Sequence, residues 1–220
     1  AKHILRLKAL QDLDREPDAA DFGTLVHAAL EQFTRQWPKQ LPKNPYTQLI
    51  ACGQEAFAPF IDRPAVASLW WPRFEAIAQW LLDQETQRRG TLDCVMAEIE
   101  GRLKLEIAGR AFTLKTRIDR LEIGQSGAAI IDYKTGAVPS DKDMREGLAN
   151  QLPLEALIAR EGGLKPSPGV PLAEVAMEYW KLSGNTDKCE ILPVDADVAA
   201  ARQMLEGLVA RFADPQEPYA

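Results

Sequence analysis

The sequence is poor in cysteine and contains no long apolar run. Its three cysteines, Cys52, Cys94 and Cys189, are far apart, odd in number and not arranged as a CxxC pair. This pattern predicts neither a disulfide framework nor a zinc site, and it favours a reducing, cytoplasmic compartment. No stretch approaches the roughly 18 apolar residues of a membrane span, and the amino end lacks a signal-peptide core, so no membrane contact is expected.

Positive charge is also scarce. The chain has 26 lysines and arginines against 32 acidic residues, which gives a net charge of -6. Proteins that bind nucleic acid through general electrostatic attraction usually have a basic surface. Any binding of nucleic acid by this chain therefore needs local positive charge or a partner that supplies the affinity.

Length and composition are those of an ordinary globular domain. A chain of 220 residues with 46% hydrophobic residues can fold around a large core. The first ten residues include neither an initiator methionine nor a helix cap, so we predict that the chain is a piece of a longer protein. We predict one domain over residues 1–220, with a helical part at 1–92 and a sheet-containing core at 93–220.

The helical part begins with an amphipathic segment. Residues 22–36 have apolar side chains at helical spacing, with Asp21 and Thr24 as candidate caps. Three prolines between positions 37 and 45 predict a loop after it.

Two more helical stretches follow, and the second is rich in aromatic residues. It runs from about residue 70 to residue 89. Helical spacing favours a place in the core for Trp70, Trp71 and Trp80, rather than stacking on nucleic-acid bases.

From residue 94 to residue 134 the apolar period changes from helical to alternating, which predicts three or four antiparallel strands. Four glycines are interpreted as breaks in this pattern: Gly101, Gly109, Gly124 and Gly127. A helix, two paired strands and a last helix are predicted to follow, at residues 151–160, 174–182, 189–194 and 195–212. This order predicts an α/β or α+β domain with a central mixed β-sheet flanked by helices.

Two aspartates and a lysine stand out in the strand region. Asp119 and Asp132 are separated by 132 minus 119, or 13 residues. A tight turn at residues 124–127 would pair their strands and bring both carboxylates to one end of the sheet. Lys134, two residues after Asp132, projects from the same face of an extended strand.

These residue types suit a magnesium site. Mg²⁺ prefers oxygen ligands and keeps several waters, so Asp119 and Asp132 could anchor it. The ion would activate a water and neutralise an attacked phosphate, while Lys134 orients the water or stabilises added negative charge. An isolated Asp-x-Lys at a strand end is usually a pair of solvated charges. The buried strand before Asp132 and the second carboxylate at hairpin spacing favour the metal site.

Four motifs in order, GTLVHAALE, RIDRLE, IIDYKTG and QLPLEAL, lie between residues 23 and 157. Together they resemble the RecB-type branch of the PD-(D/E)xK nuclease superfamily. The resemblance implies a restriction-endonuclease-like fold and a metal-dependent exonuclease that hydrolyses phosphodiester bonds at single-stranded DNA ends. It also implies a helicase-nuclease with a partner subunit, which processes double-strand breaks for repair and recombination.

The resemblance implies particular site residues. Four metal ligands are expected: His27, Asp119, Asp132 and the backbone carbonyl of Tyr133. The metal would be Mg²⁺, for which Mn²⁺ can substitute. Lys134 would be the catalytic lysine.

Two further residues match family positions, with alternatives open for each. Gln151 matches a glutamine that helps to organise the site, although it could instead cap the helix that Pro153 helps to begin. Glu31 matches a helix glutamate one turn after His27, and the i, i+4 spacing puts both on one helix face. Without the resemblance, an apolar setting like that of His27 is more typical of a hydrogen-bonded core histidine, and the resemblance favours the ligand. For Glu31, a solvent-facing charge is an equal alternative.

Within this branch the likeness is greatest to the carboxyl-terminal nuclease domain of AddB-type subunits of helicase-nucleases. Residues 4–14 resemble the start of the AddB-type domain. Glu155 also fits the AddB type, since it stands where many other relatives carry tyrosine. Many AddB-type proteins hold an iron-sulfur cluster through cysteines that flank this domain. The chain has no such cysteine run, so no cluster is expected in it.

Three cationic residues near Asp119 are candidate DNA contacts: Lys115, Arg117 and Arg120. Ordinary exposed strand charges are an equal alternative. Two other functions stay open. One is a catalytically silent module that docks on a helicase, and the other is a metal hydrolase for a small phosphorylated molecule, which would have a closed pocket rather than an open positive groove.

Overall fold

The structure is a computed structural model that describes residues 17–60, 62–64, 66–125, 127–166 and 172–213. Residues 4–14, which contribute to the AddB-type likeness, lie outside these ranges. The predicted class is confirmed, because a mixed sheet of six strands is flanked by helices.

No helix in the described part of the chain is both long enough and apolar enough for a membrane span.

Three helices precede the sheet: α1 at Ala19–Gln36, α2 at Pro45–Phe57 and α3 at Trp71–Arg88. The predicted caps of α1 are wrong. Asp18 is the N-cap, because its side chain accepts hydrogen bonds from the backbone N–H groups of Ala20 and Asp21. Asp21 completes a capping box by accepting from the Asp18 backbone, and the Thr24 hydroxyl donates to the Ala20 carbonyl within the helix.

The tryptophans of α3, and Trp70 just before it, pack against the core, as predicted. Trp70 contacts Phe22 edge-on with ring centroids 5.6 Å apart, and Trp80 meets Trp180 of the sheet at 5.7 Å. Trp71 packs on the same core. Their preferred interpretation as core residues is confirmed.

The sheet contains six strands, which are β1 (Leu92–Ile107), β2 (Arg110–Gly124), β3 (Gly127–Lys134), β4 (Leu164–Lys165), β5 (Val175–Lys181) and β6 (Glu190–Pro193). Their order across the sheet is β4-β1-β2-β3-β5-β6. The predicted antiparallel meander is confirmed as β1 to β3, and β5 pairs antiparallel with β6 as expected. Since β3 and β5 run parallel, the chain between them must pass over a face of the sheet, from the end of β3 back to the edge where β5 begins.

The returning chain carries α4 (Asp141–Arg145) and α5 (Gln151–Arg160), and the described chain ends with α6 (Val198–Ala213). α5 has the predicted bounds, and its apolar side chains pack on one face of the sheet with Ile118 and Ile130. The opposite face, which includes Ile131 and Trp180, packs against α1 to α3. α5 and α1 therefore approach the sheet from different sides.

Gly101 is not a break between strands, which corrects the prediction, because β1 runs through it. A Cβ atom there would lie 2.8 Å from Ile158 in α5, so the glycine permits the helix to approach. Gly109 does form a turn, between β1 and β2, with a φ of 70°.

Candidate active site

The backbone of the neighbouring strand fixes Asp119 at the centre of the site. Its Oδ2 atom accepts a hydrogen bond of 3.0 Å from the backbone N–H of Tyr133 in β3. The same oxygen lies 3.4 Å from Nδ1 of His27, which α1 carries to this point. Nε2 of His27 lies 3.0 Å from the carbonyl oxygen of Tyr133. Imidazole, carboxylate and carbonyl donors from three elements thus meet at one place.

The surroundings of His27 favour positive charge. Burial lowers the pKa of the imidazole, but the hydrogen bond and charge of Asp119, with the charge of Asp132, outweigh it and raise the pKa above its ordinary value. Its side chain is 29% exposed and faces a carboxylate. These contacts fit a metal ligand and a hydrogen-bonded histidine alike, so the role of His27 as a ligand stays a prediction.

Asp132, Lys134 and Gln151 form a triangle beside this centre. The Asp132 carboxylate is nearly fully buried, and its Oδ2 atom lies 2.6 Å from the Lys134 ammonium. Gln151 donates from Nε2 to Asp132 Oδ1 at 2.5 Å, and Lys134 donates to Gln151 Oε1 at 3.2 Å. The predicted shared face of Asp132 and Lys134 is confirmed.

The environment of Asp132 raises the pKa of its carboxyl group. Burial is the first cause and the charge of Asp119 adds to it, while Lys134 opposes both. Although Oδ2 of Asp132 is close to Lys134, it accepts no well-aligned hydrogen bond from any residue in the described ranges. An additional positive charge would stabilise this oxygen.

Gln151 is the first residue of α5 but does not cap it. The N-cap position belongs to Asn150, whose side chain makes no capping bond. The amide of Gln151 instead reaches into the site. Its nitrogen donates to the Asp132 carboxylate, and its oxygen accepts from the Lys134 ammonium group. This geometry favours the organising role over the cap.

Glu155 extends the network behind Gln151. Its carboxylate accepts a hydrogen bond of 2.9 Å from the Thr116 hydroxyl and a longer one of 3.3 Å from Gln151 Nε2. Burial raises the pKa of Glu155 to about 7; the hydrogen bonds from Thr116 and Gln151 oppose this, and the charge of Asp132 adds to it.

This raised pKa predicts a pH-dependent stability. The folded chain binds a proton at Glu155 that the unfolded chain releases near its ordinary value of 4.5, so stability falls as pH rises from about 4.5 to about 7. Glu155→Gln should remove up to about 1.4 kcal/mol per pH unit of this decline. Thr116→Val should extend the decline to higher pH, because its hydroxyl stabilises the ionised form in the folded chain and the unfolded chain is unaffected. Urea unfolding at several pH values, with chelator present, measures both effects. An unchanged slope in Glu155→Gln would contradict the prediction.

The sequence prediction missed Glu98. This residue of β1 lies opposite Asp119, since Ala97 pairs with Arg120 and Ile99 with Ile118. Its side chain is 5% exposed and forms an ion pair with Arg117. Burial raises the pKa of Glu98, Arg117 opposes the shift, and Asp119 and Glu31 add to it. Counting outward from the β1–β2 turn would have identified the pairing, because the pair at Ile107 and Arg110 sets the register.

A cleft of about 390 Å³ opens beside His27. Its titratable lining residues are two acidic, Glu31 and Glu98, and two basic, His27 and Arg117, so the cleft has no excess of basic groups. Glu31 forms an ion pair of 2.9 Å with Arg35 on its own helix. Lys115 is exposed on β2, and its role as a DNA contact stays a prediction, as does that of Arg117.

Arg120 is buried and cannot reach DNA, which corrects the expectation that it is a DNA contact. Its side chain is 1% exposed, forms an ion pair with Glu85 of α3 and lies 2.7 Å from Glu122. Its guanidinium also packs over the Trp180 ring. The buried carboxylates of Glu85 and Glu122 therefore keep the Arg120 guanidinium in the protein interior, where a phosphate cannot reach it.

The donor set fits a divalent cation. One donor atom each from His27, Glu98 and Asp119 lies within 4.8 Å of the others. Carboxylate and carbonyl oxygens are ligands that suit Mg²⁺ and Mn²⁺, and imidazole is a ligand of transition metals. Asp132 lies outside this group, held by Lys134 and Gln151, and its role as a ligand stays a prediction.

Comparison with known sequences covers almost the whole chain. The sequence model of the PD-(D/E)XK nuclease superfamily matches residues 1–219. An uncharacterized protein of Rickettsia bellii is 25% identical over 221 residues, which is 95% of this chain and 27% of that protein. A protein of Rickettsia typhi, RT0391, is 31% identical over 170 residues, which is 74% of this chain and 19% of that protein. The chain therefore spans about a fifth to a quarter of the relatives' length.

Solved structures give weaker likenesses. The protein SSO0001 is 13% identical, with a TM-score of 0.36 over 89% of this chain and 77% of that chain. Protein VC1899 from Vibrio cholerae is 14% identical, with a TM-score of 0.25 over 61% of this chain and 38% of that one.

The family assignment rests on the sequence match and agrees with the mixed sheet and the grouped acidic and basic side chains. The chain belongs to the PD-(D/E)XK nuclease superfamily, whose nucleases use divalent metals.

Proposed function

We propose that this chain is a Mg²⁺-dependent exonuclease domain that hydrolyses phosphodiester bonds at single-stranded DNA ends. The observation that carries the proposal is the meeting of two groups of side chains where the carboxyl end of β3 lies beside the middle of β2. One group offers donors to a cation, and the other presents a lysine beside a buried aspartate.

His27, Asp119 and the Tyr133 carbonyl would hold the cation, with Asp132 beside them. A bound Mg²⁺ supplies Lewis-acid stabilisation of negative charge on the scissile phosphate. The backbone N–H of Tyr133 keeps the Asp119 carboxylate in a fixed orientation through their 3.0 Å hydrogen bond. The chain therefore needs little rearrangement when substrate arrives.

Lys134 supplies a second positive charge. Asp132 and Gln151 hold its ammonium group, and its side chain is 26% exposed, so a phosphate can reach it. A fixed ammonium group stabilises the negative charge that grows on phosphate oxygens during attack. Its position relative to Asp132 also makes it suited to orient the attacking water.

We propose that DNA affinity comes from outside this domain. The net charge of -6 and the lack of a basic excess among the residues that line the cleft give little general attraction for DNA. The matched relatives are four to five times longer than the region they share with the chain. A helicase-nuclease of the AddB type, with a partner subunit and a role in double-strand break repair in the cytoplasm, would deliver single-stranded ends to the site.

The test uses the full-length protein on end-labelled single-stranded and duplex DNA. We expect shortening of the single strand with Mg²⁺ or Mn²⁺ and none with EDTA. Lys134→Met should lower kcat about 10²- to 10³-fold, the usual cost of losing one preorganised charge stabiliser. Lys104→Met, at an exposed strand position, is the matched control and should cut at the wild-type rate.

Three outcomes would overturn the proposal. Cutting that continues in EDTA would exclude the cation. Lys134→Met cutting at the wild-type rate would exclude the lysine. Cation binding without cutting of either DNA would identify a catalytically silent module.

A further inference from the structure

We propose that Glu98 is a side-chain ligand of the same cation, together with His27 and Asp119, and that Arg117 is its counter-ion when no cation is bound. This assignment rests on the proposed function. It adds a ligand from β1 that the motif pattern does not contain.

The distances support a shared ion. Donor atoms that bind one ion at about 2.0 to 2.6 Å cannot be more than roughly 4 to 5 Å apart. The chosen atoms of Glu98, His27 and Asp119 all lie within 4.8 Å of one another. All three can therefore reach one ion with small movements of their side chains.

The backbone at Glu98 directs its carboxylate to this place. Its φ is 53°, in the left-handed region that a glutamate rarely adopts. Such a conformation is strained for a residue with a side chain and clusters at functional sites. The pairs on either side, Ala97 with Arg120 and Ile99 with Ile118, keep a regular register, so the departure is confined to one residue.

The ion pair of Glu98 with Arg117 is suited to replacement of the arginine by a divalent cation. The Glu98 side chain is 5% exposed, whereas that of Arg117 is 67% exposed. The buried carboxylate cannot leave the site, but the arginine can swing into solvent at little cost. A divalent cation and Arg117 would compete for the same carboxylate, and the released guanidinium would be free to meet phosphate.

The test measures Mn²⁺ binding to the full chain by isothermal titration calorimetry. Glu98→Gln keeps the shape of the side chain and removes its charge, so Mn²⁺ affinity should fall about tenfold or more. Glu100→Gln removes the same charge from a side chain that is 67% exposed on the same strand. This control should change affinity by less than about twofold, the scale of a screened surface charge.

A second variant keeps the test valid if Glu98→Gln unfolds. Arg117→Gln removes the competing cation and should tighten Mn²⁺ binding several-fold. Lys115→Gln makes the same change of charge two residues away and should have a smaller effect. Equal affinities for wild type, Glu98→Gln and Arg117→Gln would overturn the Glu98 assignment alone. Failure of the wild type to bind Mn²⁺ would overturn the proposed function, and this assignment with it.

Discussion

Asp119→Asn is expected to lower the rate of DNA cleavage by about 10³-fold or more. The amide can still accept the hydrogen bond from the Tyr133 backbone, so the fold around it should persist. It loses the charge that faces both His27 and the proposed cation. Losing several kcal/mol of charge stabilisation corresponds to this change in rate, since each 1.4 kcal/mol is about tenfold.

The measurement is the rate of single-strand shortening by the full-length protein at saturating Mg²⁺. Asp93→Asn removes the same charge from an exposed position and is the matched control. Circular dichroism and urea unfolding check that both variants are folded. A folded Asp119→Asn variant that cuts within tenfold of wild type would exclude Asp119 from the site.

Arg120→Met is expected to cost about 3 kcal/mol in the free energy of unfolding. Breaking a buried ion pair costs about 3 to 5 kcal/mol, because it leaves a charge without its partner. Glu85 and Glu122 would each lose Arg120, but Glu85 keeps Arg89 at 2.5 Å and Glu122 keeps Arg88 at 2.7 Å. The remaining partners place the expected loss at the lower end of the range.

Urea unfolding of wild type and variant measures this loss. Arg102→Met is the control, because Arg102 is 58% exposed and lies 3.7 Å from an exposed glutamate. Surface pairs of this kind contribute about 0 to 1 kcal/mol. If Arg120→Met costs no more than the control, the buried network does not stabilise the fold as its geometry indicates.

The fold was predictable wherever one face of an element is apolar. The stripe over residues 22–36 predicts α1, and alternation from residue 94 onward predicts β1 to β3. The two-residue β4 was not predicted, because so short a strand carries no period. Its place depends on pairing with β1 at Gly101, which is a distant contact.

The site was predictable only in part. Hairpin spacing alone brings Asp119 near Asp132, and alternation puts Lys134 on the same face. His27 and Gln151 required the resemblance, because no local pattern shows that α1 and α5 approach the same strand ends. Arg120 was wrongly included among the candidate DNA contacts. Its buried partner Glu85 lies 35 residues earlier in the chain, so no local pattern shows that Arg120 is enclosed.

The sequence by itself determined the longer elements, the β2–β3 pairing and the family, because these depend on periodicity, turn residues and motif order. Only the tertiary structure decided which charges face the site and which are buried. Glu98 lies close to His27 because α1 packs against β1, and Arg120 is enclosed because α3 packs over it. Neither arrangement is local, since each is set by the packing of elements that are far apart in the chain.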